Sequence, residues 1–318
     1  MAAGLMIGIG TGLASALLFY SAGHGTPLLS TLLLLLTPLP SLLAGLGWGW
    51  LAASAGALAG ALAMAFVGTA TFAAGYFLSL GLPAAVVAYI THLSRPAGEG
   101  GIEWFPAGRL LAALALYGGA LPVLFLPLIG GSYEGLREPL RAAFQSFAAV
   151  ATGDLHVPAM SEEQIANSAD LALAALPAVF AAYWVAIFAL NLYLAGRIAR
   201  ASGRLRRDWP DLPATALPRS FPFLLAAAAL ACLASGASGV AATSFTGGLL
   251  FAHLLGGLAL VHLVARQRAP WLLWLVYAAL VAFGPYAALA LTLAGFLDPI
   301  FAFKRRLAAS PPTGVAKS

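Results

Sequence analysis

A chain of 318 residues that is 61% hydrophobic and only 8% charged is not an ordinary soluble domain; its composition is that of a protein built for lipid. The formal charge of +5 does not indicate nucleic acid, because Lys and Arg lie between apolar runs rather than on a basic face with interleaved aromatics. A single cysteine, Cys232 in an apolar run, excludes a disulfide framework, a CxxC redox pair and a thiolate metal cluster.

A helix needs about 20 apolar residues to cross ~30 Å of hydrocarbon. Runs of that length occur near 4–22, 27–45, 48–68, 71–93, 109–131, 170–196, 221–241 and 246–265. The first lacks a positive n-region and reads as a span rather than a signal peptide. No strand precedes its Gly8, Gly10 and Gly12, so close helix packing explains them better than a phosphate loop. The second and fourth runs contain Pro38, Pro40 and Pro83, which remove helix hydrogen bonds. In the third, Gly56 and Gly60 form a GxxxG among alanines, suited to packing inside the bundle or to docking a separate membrane subunit.

Segment 132–169 is acidic, the wrong sign for a cytoplasmic loop. Within it Leu136, Leu140, Phe144, Phe147 and Ala151 recur at helical spacing opposite Arg137, Glu138, Arg141 and Gln145, which predicts an amphipathic helix on the outer surface. Asp154, His156, Glu162 and Glu163 are read as ordinary loop composition, and no metal or cofactor is assigned to them. Ser161 with Gln164 forms a capping box, and Met160 with Ile165 a hydrophobic staple, so a helix starts at Glu162 and runs into the membrane.

The segment 197–219 holds Arg197, Arg200, Arg204, Arg206, Arg207 and Arg219. Lys and Arg in short loops stay cytoplasmic. That places Arg95, Arg109, Arg266 and Arg268 on the same side and the uncharged turns near 23–26, 69–70 and 242–245 opposite. The last apolar region, 270–302, contains Gly284-Pro285; for Lys304, Arg305 and Arg306 to return to the cytoplasm it must cross twice, as a hairpin. The expected fold is all-α: a polytopic bundle of about 8–10 spans with Pro- and Gly-broken helices, one amphipathic extracytoplasmic helix and both termini cytoplasmic. Its divisions are a five-helix half at 1–131, the outer segment at 132–169, a second membrane half at 170–303 and a basic tail at 304–318.

The span interiors hold no Lys, Arg or Glu, and Asp298 near the last cytoplasmic end stands apart as an acid. An ion-coupled pump keeps ionisable groups at the midplane, so this pattern favours a small neutral or amphipathic solute bound through backbone, hydroxyl and aromatic groups. The candidate contacts are Pro38, Pro40, Pro83 and Pro285, where helix backbone is freed, together with the intramembrane amide Asn191. Their structural alternatives are helix kinks and an interhelical hydrogen bond. Arg204, Arg206, Arg207 and Trp209, beside Pro210 and Pro213, form a candidate docking surface for a membrane or cytoplasmic protein partner or anionic lipid.

Asp298-Pro299 predicts an N-cap and first turn of a short interfacial helix with Lys304 and Arg305 toward lipid headgroups. His262, close to Arg266, reads as an interfacial side chain. Gly236-Ala-Ser-Gly239 and Ala252-His-Leu-Leu-Gly256 resemble the serine and histidine motifs of rhomboid intramembrane proteases. With a turn near 242–245, Ser238 and His253 would sit at different depths, so both are expected to be structural and the chain is not read as an enzyme.

Leu36-Thr-Pro-Leu-Pro40, Gly45-Leu-Gly-Trp-Gly49, Asn191-Leu-Tyr-Leu-Ala-Gly-Arg197, Ser202-Gly-Arg-Leu205 and Gly295-Phe-Leu-Asp-Pro-Ile-Phe-Ala-Phe-Lys-Arg305 resemble, in order and spacing, the YybS-like family of bacterial integral membrane proteins. That family is in turn similar to the membrane-embedded S components of energy-coupling factor vitamin transporters. The resemblance implies a multi-pass protein of the bacterial inner membrane that binds a solute as a transporter component. A nonenzymatic membrane scaffold is the alternative. A binder should hold a cavity lined by broken helices and Trp or Tyr; a scaffold should be filled by Ala, Leu and Gly.

Overall fold

The computed structural model describes residues 2–129, 132–154 and 160–309. Among them, seven helical segments are long and apolar enough to cross a bilayer, and three shorter apolar helices accompany them. The all-α polytopic membrane fold stands.

The first half contains α1 (Ala2–Ala22), α2 (Pro27–Leu36), α3 (Leu39–Trp48), α4 (Trp50–Val67), α5 (Ala70–Tyr76) and α6 (Leu82–Thr91). Gly8 and Gly12 of α1 lie directly on the Ala52 and Gly56 carbonyls of α4, with no room for a methyl group. Tyr76 fills the space beside Gly60, and its hydroxyl donates to the Gly12 carbonyl at 3.3 Å. The GxxxG of α4 is thus consumed inside the bundle.

Pro38 splits one span into α2 and α3, and a π-turn at Phe77–Gly81 with Pro83 splits another into α5 and α6. A two-stranded hairpin, β1 (Ser94–Pro96) and β2 (Ile102–Trp104), leads into α7 (Ala107–Phe125). The expected loop there is an ordered ribbon.

Next come α8 (Arg137–Asp154) and α9 (Glu162–Ala201). With 40 residues, α9 is about 60 Å long, twice the hydrocarbon thickness. It starts at the expected Ser161–Gln164 capping box, with both reciprocal bonds made. Its first turns pair antiparallel with α8 through Arg141–Glu162 at 3.0 Å and Arg137–Asp170 at 3.3 Å. The amphipathic helix therefore packs on an extension of α9, with Leu136, Leu140 and Phe144 half-buried and Phe147 exposed.

The chain ends with α10 (Phe221–Ala231), α11 (Gly236–Gln267), α12 (Trp271–Phe283), α13 (Pro285–Phe301) and α14 (Phe303–Ala309). The expected turn at 242–245 is not there. The chain reverses at 232–235 instead, where Gly236 takes φ 67, leaving α10 with only 11 residues and α11 with 32. Uniform hydrophobicity across 221–265 hid this break. The expected break at Gly284-Pro285 is present, with Gly284 at φ 35.

α11 is the hub of the second half and packs on α7, α9, α10 and α13. Gly257 lies against Leu291 and Gly295 of α13. The main core joins both halves through Leu42, Leu80, Leu114, Trp184 and Phe188, and a second core surrounds Leu217, Phe221 and Leu249.

Candidate functional site

Residues 202–220 form a strap across one end of the bundle. It begins where Arg204 and Leu205 both donate backbone N–H to the Ala199 carbonyl, closing α9 with Gly203 at φ 67. Arg204 then lies over Trp48 at 5.4 Å and Arg206 lies beside Gly49. Arg207 donates to the Phe105 carbonyl at 3.2 Å and the Thr91 carbonyl at 3.4 Å, and sits 5.9 Å from the Trp104 ring centre. Trp209 packs into the space left by Gly196 and meets Tyr193 edge-on at 5.8 Å.

Asp211 accepts both arms of Arg266 at 2.8 and 2.9 Å. The Lys304 Nζ donates to the Thr215 carbonyl at 2.6 Å. The end of α11 and the start of α14 thus reach the same short turn, 211–215, so the chain leaves this face after α11 and regains it at Lys304. Such a return is what a hairpin at 271–301 requires. Burial pulls the Arg207 guanidinium below its ordinary pKa, partly offset by Asp208, and the bonds from Arg266 hold the Asp211 carboxyl below the usual carboxylate range.

Two cavities meet beneath and beside this strap. The deeper, of about 820 Å³, lies among α7, α9 and α11, within the ~300–1,000 Å³ range of ligand sites. Its walls include Leu111, Leu114, Leu190, Phe251, Leu255 and Leu258, with Tyr277 of α12 at one edge. His262, expected at the interface, is half-buried here and takes a 3.3 Å contact from the Tyr277 hydroxyl. The shallower, of about 630 Å³, opens outward past Arg197 and Arg200. Tyr193, Arg207 and Trp209 line both.

None of Pro38, Pro40, Pro83, Asn191 or Pro285 lines either cavity. Pro38 and Pro83 are fully buried, Pro40 is half-buried, and Pro285 is exposed at the α12–α13 corner. The backbone freed around Pro38 and Pro83 is already occupied. Thr37 donates its hydroxyl to the Leu33 carbonyl at 2.7 Å, and Asn191 Nδ2 donates to the Leu35 carbonyl at 2.6 Å. Around Pro83, the Leu78 carbonyl takes the Tyr117 hydroxyl at 2.6 Å and the Ser79 carbonyl takes the Trp184 indole at 2.7 Å. A broken membrane helix needs such partners.

Arg207 and Trp209 do line the cavities, whereas Arg204 and Arg206 rest on the α3–α4 turn. Tyr193, Arg197 and Arg200 were missed as site residues. Their i, i+4, i+7 spacing, which puts them on one face of α9, was the available signal.

Asp298 and Lys304 depart from expectation. Pro299 lies within α13, which runs on to Phe301, and the corner is Ala302 at φ 54. Lys304 turns inward and is only 4% exposed, paired with Asp298 at 3.3 Å. Ser238 and His253 share α11, 15 positions apart, or about 22 Å along its axis, so they cannot form a proton-sharing pair. His156, considered with Asp154 for a metal, lies outside the described residues.

No curated protein and no solved structure matches the chain. The family model described as "Predicted membrane protein (DUF2232)" matches residues 13–299. That region runs from the middle of α1 almost to the end of α13 and includes the strap and both cavities, so the chain belongs to this family of predicted membrane proteins.

Proposed function

We propose that this protein binds an amphipathic solute in the cavity among α7, α9 and α11, beneath the strap of residues 202–220. The observation that carries the reading is an apolar chamber of about 820 Å³ whose mouth is formed by Arg207, Trp209 and Tyr193. Apolar walls with a few convergent polar and aromatic groups are the usual makeup of a ligand site. The basic strap faces the cytoplasm of a bacterial inner membrane in this reading, because Lys and Arg of short loops gather there. Both termini share that side. No catalytic step is assigned to the cavity.

The likeness to the YybS-like family and to energy-coupling factor S components adds a role: a binding subunit that hands its solute to a partner. The broken helices and the cavity support that role, and the strap's exposed Arg206 and Asp208 offer contacts for the partner. The scaffold reading rests on the glycine seams between α1 and α4 and between α11 and α13. Those seams are consumed within the chain, which favours the binder.

Native mass spectrometry of protein extracted in mild detergent tests the proposal. Wild type should retain a bound small amphiphile, and Leu255→Trp or Leu111→Trp, which fill the chamber, should lose it while remaining folded and monodisperse. Identical adducts on wild type and both variants would refute the site.

A further inference from the structure

The deeper cavity is greasy, but the space that continues from its mouth is cationic. Arg197, Arg200 and Arg207 line the shallower cavity together with Asp208 and Asp211. Asp211 is committed to Arg266 through two bonds. Asp208 is exposed. Three guanidinium groups therefore face one uncommitted carboxylate.

Their donors are also largely unused. The Arg200 guanidinium has no hydrogen bond or ion pair with any described residue. The Arg197 guanidinium bonds to the Tyr193 hydroxyl at 3.2 Å and lies 5.9 Å from the centre of that ring, with no ion pair among the described residues. The Arg207 Nε is enclosed without an acceptor among the described residues, although the other two nitrogens hold the Thr91 and Phe105 carbonyls. A neutral alkyl or sugar head would leave the positive charge of the three guanidinium groups uncompensated. A planar guanidinium fork matches a carboxylate or phosphate.

Resting on the reading of the cavity as an amphiphile site, we infer that its ligand carries an anionic head, a phosphate or carboxylate, held by Arg197, Arg200 and Arg207. Its aliphatic tail lies among α7, α9 and α11. Arg207 fixes the depth of the head, because it is tied to the ends of α6 and β2; Arg197 and Arg200, on exposed turns of α9, close over it from outside. Trp209 and Tyr193 separate the head from the tail chamber.

The test is binding to the full-length protein in phosphatidylcholine nanodiscs, with empty nanodiscs as background. The probes are dodecyl phosphate, dodecyltrimethylammonium and inorganic phosphate. Dodecyl phosphate should bind saturably, at least tenfold tighter than either of the others. Arg197→Gln with Arg200→Gln should weaken it at least tenfold, the corresponding Lys pair should fall between, and Leu255→Trp should reduce binding of dodecyl phosphate to that of inorganic phosphate. Equal binding of both dodecyl probes, unchanged in the Gln pair, would overturn the anionic head and leave the amphiphile site standing. Inorganic phosphate binding as tightly as dodecyl phosphate would assign the source to free phosphate and overturn the tail. Saturable binding of none of the probes would sink the cavity reading itself.

Discussion

Asp298 and Lys304 form a buried ion pair in which each ammonium hydrogen has an acceptor: Asp298 at 3.3 Å, the Thr215 carbonyl at 2.6 Å and the Gly256 carbonyl at 2.9 Å. The other carboxylate oxygen takes the Lys304 backbone N–H at 2.9 Å. Because the pair joins α13, α14, α11 and the strap, losing one partner strands a buried charge, at a cost of about 3–5 kcal/mol. Asp298→Ala should therefore lower the thermal midpoint strongly, whereas the double change Asp298→Leu with Lys304→Met should recover most of the loss. A double variant as unstable as the single would contradict this coupling. The Asp298-Pro299 dipeptide was visible in the sequence, but its role was not. A left-handed residue at Ala302 is what turns Lys304 back onto the carboxylate, and alanine gives no sign of that conformation.

At the scale of elements, composition revealed apolar length and missed corners that no Pro or charge announces. The breaks at Pro38, Pro83 and Gly284-Pro285 were legible because each proline removes a helix donor and Gly284 admits the positive φ of the corner. The reversal at 232–235 was not, since Leu233, Ala234 and Ser235 resemble the helix on either side. The partners that satisfy broken backbone were also hidden: Trp184 reaches Ser79, and Asn191 reaches Leu35, across more than a hundred residues. Of the small residues of α1 expected to pack, Gly8 and Gly12 lie on α4, whereas Gly10 faces outward with no neighbour. Gly12→Leu should separate α1 from α4, because its side chain would enter the Gly56 backbone. A drop in apparent melting temperature of several degrees, with excess accessibility of a cysteine placed at Ala52, is the expected result. Near-wild-type stability and protection would show that the seam does not hold the two helices.

For the whole molecule, the basic segment that the sequence marked as a topological anchor is a strap bound to the ends of α3, α6, α9, α11 and α14. On the proposed reading, orientation and ligand capture are two uses of the same arginines. The arrangement also explains why the prolines do not line the open space: the carbonyls freed around Pro38 and Pro83 are taken up within the bundle, while the cavity lies among α7, α9 and α11 under the strap. The most direct measurement is photo-crosslinking with an alkyl phosphate that carries a diazirine at the far end of its tail, followed by peptide mapping. The account predicts adducts concentrated on residues 107–114 of α7 and 251–259 of α11, and lost in Leu255→Trp. Adducts spread over the exposed faces of α1, α10 and α12, with no enrichment on α7 and α11, would contradict it.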